Sequence, residues 1–342
     1  MTTHKVDLLI VGAGPVGLYG VYYAGVRGMK VAVIDSLSEV GGQVSALYPE
    51  KLIFDIAGYP RVKGRELVTA LAAQAASADP VYLLGQEAQE VQEIEGEGPP
   101  RFSVQTSSGD VVECGGIVVT AGIGTFTPRK LPAGEEFLGR GLEYFVPDPT
   151  PYQDTDVVIV GGGDSALDWA LMLEPLAASV TVVHRRKVFR AHQATVAQVE
   201  ASRVRMIVDA EVSELRGDST LQKAHITVKG TDGAEIVDCQ NVVAALGFMA
   251  NIGPLREWGM ELHDNRHIVV DSAMRTARRG IFAAGDITEY DGKVRLIAVG
   301  FGEVATAVNN AFVLMNPDEQ LFPGHSTDEQ PAPEPALAQP AG

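Results

Sequence analysis

Two stretches of the chain repeat one alternation of apolar runs, glycines and mixed segments. The first opens with the apolar run VDLLIV (Val6 to Val11), passes GAGPVG (Gly12 to Gly17) into a helical stretch, and returns to a second run, VAVID, ending at Asp35. The second opens with DVVIV, passes GGGDSA (Gly161 to Ala166) into a helical stretch, and returns to VTVVHRR, ending at Arg186. Short unbroken apolar runs bounded by turn residues predict strands buried on both faces, as in a parallel sheet. Each copy then has a hairpin-like alternation, RFSVQT–SSGD–VVE in the first and AHITVK–GTDG–AEIV in the second, and a closing run, GGIVVTAG (Gly115 to Gly122) or NVVAALG (Asn241 to Gly247). Each copy therefore reads as a βαβ unit with a β-meander. The fold class expected is α/β, with two Rossmann-like dinucleotide-binding domains of three-layer ββα build.

Leu8 to Val26 carries no charge and is long enough to raise a membrane-span or signal-peptide reading. Five glycines and Pro15 break it, so a strand, a turn and a helix are expected instead. The other apolar runs look short, and no membrane span is expected. The first unit is longer than the second, and most of the excess lies at Leu37 to Lys63, between Asp35 and a helix-start signal at Gly64. In the second unit a helix begins soon after the second strand, near His192. The insertion has aromatics and glycines without helical or strand periodicity, which predicts an ordered functional loop. A strand-like IFAA leads to Gly285–Asp286, a helix opens near Gly302 and stops at Pro317, and the residues from 327 read as a disordered tail rich in Pro, Ala, Gln and Glu.

The chain has 342 residues and a formal net charge of −17. An acidic surface makes nucleic acid and anionic membranes poor partners. Cys114 and Cys239 stand far apart in apolar runs, which fits buried, reduced thiols in a cytoplasmic protein. The 37 glycines exceed the usual level of about 7% and point to tight turns or close ligand approach.

The fingerprints carry the chemistry. In each, a first glycine (Gly12, Gly161) allows the sharp turn, and a second (Gly14, Gly163) lets backbone N–H groups reach a pyrophosphate. A third small residue (Gly17, Ala166) lets helix and strand pack closely. The phosphates then sit at the positive end of a helix. Asp35 lies roughly 20 residues beyond, where a carboxylate accepts hydrogen bonds from a ribose and repels a 2′-phosphate. That half suits FAD or NAD. The second unit has His184, Arg185, Arg186 and Arg190 there, and guanidinium forks match a phosphate, so it should prefer NADP(H). Taken blandly, Asp35 is a solvated acid and the arginines a solvated basic turn. Two pockets of opposite preference imply a flavin and a nicotinamide in one chain. The larger first unit should hold the flavin.

Through GAGPVG, VVTAG, GGGDSALD, HRRKVFR and FAAGD in that order, over residues 6 to 326, the chain resembles the thioredoxin-reductase-like flavoproteins. The Cys-x-x-Cys of thioredoxin reductases is missing, because GRGLEYFVPDPTPYQ, before the second fingerprint, has no cysteine. IDSLSEVGGQVSALYPEK, TAGIGTFTPRKL, GGGDSALDWALMLEP and GFGEVATAVNNA are more similar to the ferredoxin-NADP(+) reductases built on the same scaffold. That resemblance implies an FAD domain of residues 1–122 and 250–326, an inserted NADP domain of 123–249, and a tail of 327–342. It implies that Asp35, which replaces a Glu common in relatives, binds the FAD ribose. Gln43 and Tyr48 would contact the flavin, with Tyr48 stacked on one face. Ala88 would lie by the adenine, Phe126 near the hinge and Asp286 by the ribityl chain. His325 and Thr327 would cover the other flavin face across a homodimer, although the tail beyond Thr327 departs from its relatives.

Tyr48 also reads as a packed loop aromatic, Phe126 as a packing residue, His325 as a tail residue and Asp286 as a helix N-terminal acid. No metal site is expected, because His184 and His192 lack partners at ligand spacing. The activity implied is hydride transfer between NADPH and FAD coupled to one-electron exchange with ferredoxin. Other NADPH-dependent flavoprotein reductases or oxidases, with flavodoxin, quinone or oxygen as acceptor, remain open, as does a non-catalytic dinucleotide-binding redox sensor. Gly122 to Thr127 and Phe248 to Gly253 are hinge candidates. Arg129 with Lys130, and Arg275 with Arg278 and Arg279, are candidate docking charges for ferredoxin; each also reads as ordinary solvated charge.

Overall fold

A computed structural model describes residues 1–325 except residue 232, and their side chains except those of 125–127, 249 and 250. The duplication in the sequence is a duplication in space. One five-stranded parallel sheet runs Ile281–Ala283, Gly116–Val119, Leu8–Val11, Val31–Asp35, Val81–Leu84. The other runs Leu142–Glu143, Asn241–Ala244, Asp156–Val160, Ser179–His184, Arg205–Val208. In both, the strand entering the glycine turn lies between the closing strand and the strand that carries the charged end residue. Leu8–Val11 and Gly116–Val119 are buried throughout, which is why they carry no polar alternation.

The helices are α1 (Pro15–Val26), α2 (Gln43–Leu47), α3 (Gly64–Ala75), α4 (Asp164–Leu173), α5 (Gln193–Glu200) and α6 (Ile297–Met315). α1 begins where expected, with Pro15 in its first turn behind an extended Gly14. It ends at Arg27 and Gly28, the latter at φ +69°. The third layers are meanders. Ala88–Glu93, Phe102–Thr106 and Val111–Cys114 form one, with Thr3–Lys5 added in parallel beside its last strand; Ala210–Gly217, Leu221–Val228 and Ala234–Asp238 form the other. One apolar core joins residues before Val119 to residues after Ile252, while two smaller cores are built from Leu131 to Ala244.

The insertion is less plain than its sequence. It contains α2 and a two-stranded pairing of Leu52–Ile53 with Val62–Lys63. Its helix and strands are too short to show a period. The last helix also departs from expectation. It opens at Ile297, and Gly302 sits inside it. By length and composition α6 could cross a membrane, so not every later apolar run is short. Here it packs along α1 and the first sheet and buries Glu303, Val304, Ala307, Val308, Asn309 and Ala311. The two hinge candidates meet as an antiparallel ribbon, Thr125–Pro128 against Phe248–Asn251.

Candidate functional site

The first glycine turn is built as its spacing requires. A Cβ on Gly12 would stand 2.5 Å from the Thr120 carbonyl oxygen, and one on Gly17 would stand 1.9 Å from the Gly12 carbonyl oxygen. Gly14 is different: a Cβ there would meet nothing within 4 Å. The first and third glycines serve the packing of the protein, and the second keeps the space above the helix N-terminus open. Asp35 closes this turn from the next strand. Its Oδ2 accepts the Ala13 N–H at 2.6 Å and its Oδ1 the Leu37 N–H at 2.8 Å. A carboxylate has about four lone-pair sites, so two stay available to a ligand. Burial pushes the Asp35 carboxyl above the usual carboxylate range, and the two backbone hydrogen bonds oppose that rise.

Around this turn lies a cleft of about 1100 Å³ lined by Gly12, Gly14, Asp35, Gln43, Tyr48, Ala88 and Asp286, among others. Residues far apart in sequence meet there. Gln43 opens α2 and reaches the Gly122 turn, where a Cβ on Gly122 would stand 2.9 Å from its Nε2. Burial pushes the Tyr48 hydroxyl up to about 12, helped by the nearby carboxyls of Asp286 and Asp55. Burial also raises the Asp286 carboxyl, against the pull of Lys293 and Arg295.

The second turn repeats the first. A Cβ on Gly161 would stand 2.5 Å from the Ala245 carbonyl oxygen, whereas one on Gly163 would meet nothing within 4 Å. The cleft above it, about 1670 Å³, is lined by Gly161, Gly163, Ala166, His184, Arg185, Arg186 and Arg190. The Arg190 N–H donates to the Gly162 carbonyl at 2.8 Å, which ties the basic segment to the turn. Arg185, Arg186 and Arg190 are exposed. Neighbouring Lys187 pairs with Asp209 at 3.8 Å, but none of the three guanidiniums has a carboxylate partner among the described residues. His184 does different work. Its ring stacks on Phe189 and fills the place a Cβ on Gly162 would take. Burial lowers its pKa, with the three arginines adding to the effect, so it is a neutral wall and not a further cation.

Not every candidate reaches a cleft. Gly17 packs beneath its turn and does not line the first cleft. Phe126 lies in the ribbon opposite Ala250, and its side chain is outside the described residues. His325 is exposed and meets Phe322 edge-on, with ring centroids 5.1 Å apart; it does not line the first cleft. Thr327 and the tail lie outside the described residues. Of the docking candidates, Lys130 is paired with Glu135. Arg275 bonds Asn310 at 3.3 Å, and Arg278 donates to the Trp258 carbonyl at 2.8 Å. Sequence reading missed Thr120, whose hydroxyl donates to the Gly12 carbonyl at 2.8 Å, and Pro254 and Leu255, which line the first cleft beside Ile252 and Gly253 of the second hinge candidate. The Thr of VVTAG, absent from the matching NVVAALG, was a signal for the first.

Duplicated βαβ folds, each with an open helix N-terminus beneath a cleft, one cleft edged by a carboxylate and the other by three guanidiniums, define an oxidoreductase scaffold for two nucleotides. Residues 6–311 match the model of the pyridine nucleotide-disulphide oxidoreductases. The chain is 57% identical over 326 residues to a ferredoxin--NADP reductase of Salinispora tropica, covering 95% of this chain and 99% of that protein. Among solved structures it is similar to the thioredoxin reductase of T. acidophilum, with a TM-score of 0.75 and 26% identity over 90% of this chain and 98% of that one. The thioredoxin reductase of Lactococcus lactis gives a TM-score of 0.73 and 26% identity over 92% and 100%. The chain belongs to the pyridine nucleotide-disulphide oxidoreductase family. It departs from the disulphide in that name, because Cys114 and Cys239 are unpaired, buried and in different cores.

Proposed function

We propose that this protein is a ferredoxin--NADP reductase that binds FAD in the first cleft and NADP(H) in the second. FAD when bound supplies the redox centre, taking a hydride and passing electrons singly. The chain's residues bind, orient and shield. Gly12, Gly14 and the N-terminus of α1 would hold the pyrophosphate, Asp35 the adenosine ribose, and Ala88 the adenine side; Gln43, Tyr48 and Asp286 would flank the remainder. Gly161, Gly163 and α4 would hold the second pyrophosphate, with Arg185, Arg186 and Arg190 on the 2′-phosphate. The division into an FAD domain of 1–122 and 250–326 around an NADP domain of 123–249 is part of the proposal. The separate cores, joined by the ribbon of 125–128 with 248–251, support it.

The observation that carries the reading is the opposite charge at equivalent strand ends of two similar clefts. It is tested by mixing the flavin-loaded protein anaerobically with NADPH or NADH, then adding ferredoxin. The expected result is bleaching of the yellow chromophore by NADPH far faster than by NADH, and reoxidation on adding ferredoxin. A colourless protein that cannot be loaded with FAD overturns the reading. Reoxidation by oxygen, quinone or flavodoxin alone reassigns the acceptor. A homodimer and a cytoplasmic location belong to the same proposal; the first is checked by light scattering, the second by fractionation.

A further inference from the structure

Behind the Gly285–Asp286 turn lies a buried ionic cluster that lines neither cleft. Glu303, on α6, uses both carboxylate oxygens. Its Oε2 accepts the Gly285 N–H at 2.7 Å, and its Oε1 accepts the Tyr290 hydroxyl at 2.6 Å and the Lys293 ammonium at 2.5 Å. The Lys293 and Glu303 side chains are only 1% and 5% exposed. Burying such a pair is a poor route to stability: desolvation costs several kcal/mol per ion, and an apolar pair of equal volume is often as stable. The turn it holds is tightly placed. Gly285 has φ +83°, and a Cβ on Gly300 would stand 2.5 Å from Val16 Cγ2 and 3.4 Å from Gly285 Cα. α6, the Gly285 turn and the start of α1 therefore converge on Val16, itself a cleft residue.

Two cations act here: Lys293 on Glu303 and Asp286, and Arg295, itself paired with Glu289, on Asp286. Asp286 faces the cleft and Glu303 stands behind it, with Lys293 acting on both. We propose that Glu303, Lys293 and Tyr290 form a positioning cluster that fixes the Gly285–Asp286 peptide and sets the charge behind the flavin cleft, thereby tuning FAD affinity and reduction potential. Glu303 acts through Gly285 and Lys293 through Asp286. The inference rests on the FAD reading of the first cleft. A wild-type protein that takes up no flavin sinks that reading, whereas the variants below test the cluster in a protein that does.

Two near-isosteric variants separate charge from shape. K293M leaves two carboxylates against the cleft, so FAD should bind about tenfold or more weakly and be harder to reduce. E303Q keeps an amide oxygen for the Gly285 N–H and frees the cation, so the flavin should be easier to reduce. Spectroscopic titration against a reference dye should move the ratio of oxidised to reduced flavin about tenfold in opposite directions in the two variants. K293R, which retains the charge, should stay near wild type in affinity and potential. Shifts of the same sign, no shift in either variant, or a K293R that departs as far as K293M would overturn the proposal. Should K293M fail to fold, E303Q against K293R still decides: an unshifted E303Q or a strongly shifted K293R overturns it.

Discussion

At the scale of single residues, the proposed choice of nucleotides rests on charge at the two strand ends. Asp35 is held by two backbone N–H groups, one on each oxygen, so Asp35→Asn keeps an acceptor for only one of them and removes a charge-assisted acceptor worth about 1.5–3 kcal/mol. FAD affinity should fall about ten- to a hundredfold, as read by flavin fluorescence on dilution, with little change in fold by circular dichroism. The double variant R185A/R186A should raise the KM for NADPH by about tenfold or more and leave that for NADH nearly unchanged, because on the proposed function the guanidiniums would meet only the 2′-phosphate. Parallel steady-state assays with the two nucleotides check this. The cysteines make a third test. Burial pushes both thiols up to about 12 from an ordinary 9.0. A raised acid contributes stability that is full below its unfolded pKa and is lost as pH rises through the folded one. Native protein should therefore be silent to thiol reagents at pH 8, react at both thiols in denaturant, and lose stability between pH 9 and about 12.

At the scale of elements, the glycine turns explain why so much was legible in the chain. Strand, turn and helix there are marked locally: Pro15 opens α1, and the third position must be small because the Gly12 carbonyl stands against it, although the backbone that keeps the first position small, at Thr120, comes from far along the chain. Gly17→Ala should destabilise the protein by about 1–3 kcal/mol through a clash with the Gly12 carbonyl. Gly14→Ala, facing open space, should cost FAD affinity and little stability. Urea midpoints compared with flavin titrations of the two variants distinguish the effects. What escaped the sequence depends on distant contacts. α6 starts at Leu296 with no side-chain cap, so nothing local marked its opening, and Gly302 drew the expectation one turn too far. Glu303 in GFGE gave no signal of its role, because its partners Lys293, Tyr290 and the Gly285 N–H come together only through tertiary packing. The pairing of residues 52–53 with 62–63 in the insertion is likewise too short to declare itself.

At the scale of the whole molecule, the two clefts share no lining residue among those described, although a hydride moves only between rings in contact. On the proposed function the parts would therefore have to approach each other during turnover. The ribbon of Thr125–Pro128 with Phe248–Asn251 is the natural place to bend, since Gly122, Gly124, Gly247 and Gly253 flank it with φ between +54° and +82°. One ion pair would oppose that motion. Lys51, in the insertion beside the first cleft, meets Asp168 of α4, beneath the second, at 2.5 Å, with the side chains 46% and 29% exposed. A half-exposed pair is worth about 0.2–1 kcal/mol and weakens with salt. Lys51→Met should then speed flavin reduction by NADPH about two- to fivefold at low salt and remove most of its ionic-strength dependence, whereas wild type should quicken as salt is added. Stopped-flow traces over a range of salt concentrations read both effects. A variant slower than wild type would mean that the pair holds the arrangement needed for transfer, not the one that must be left.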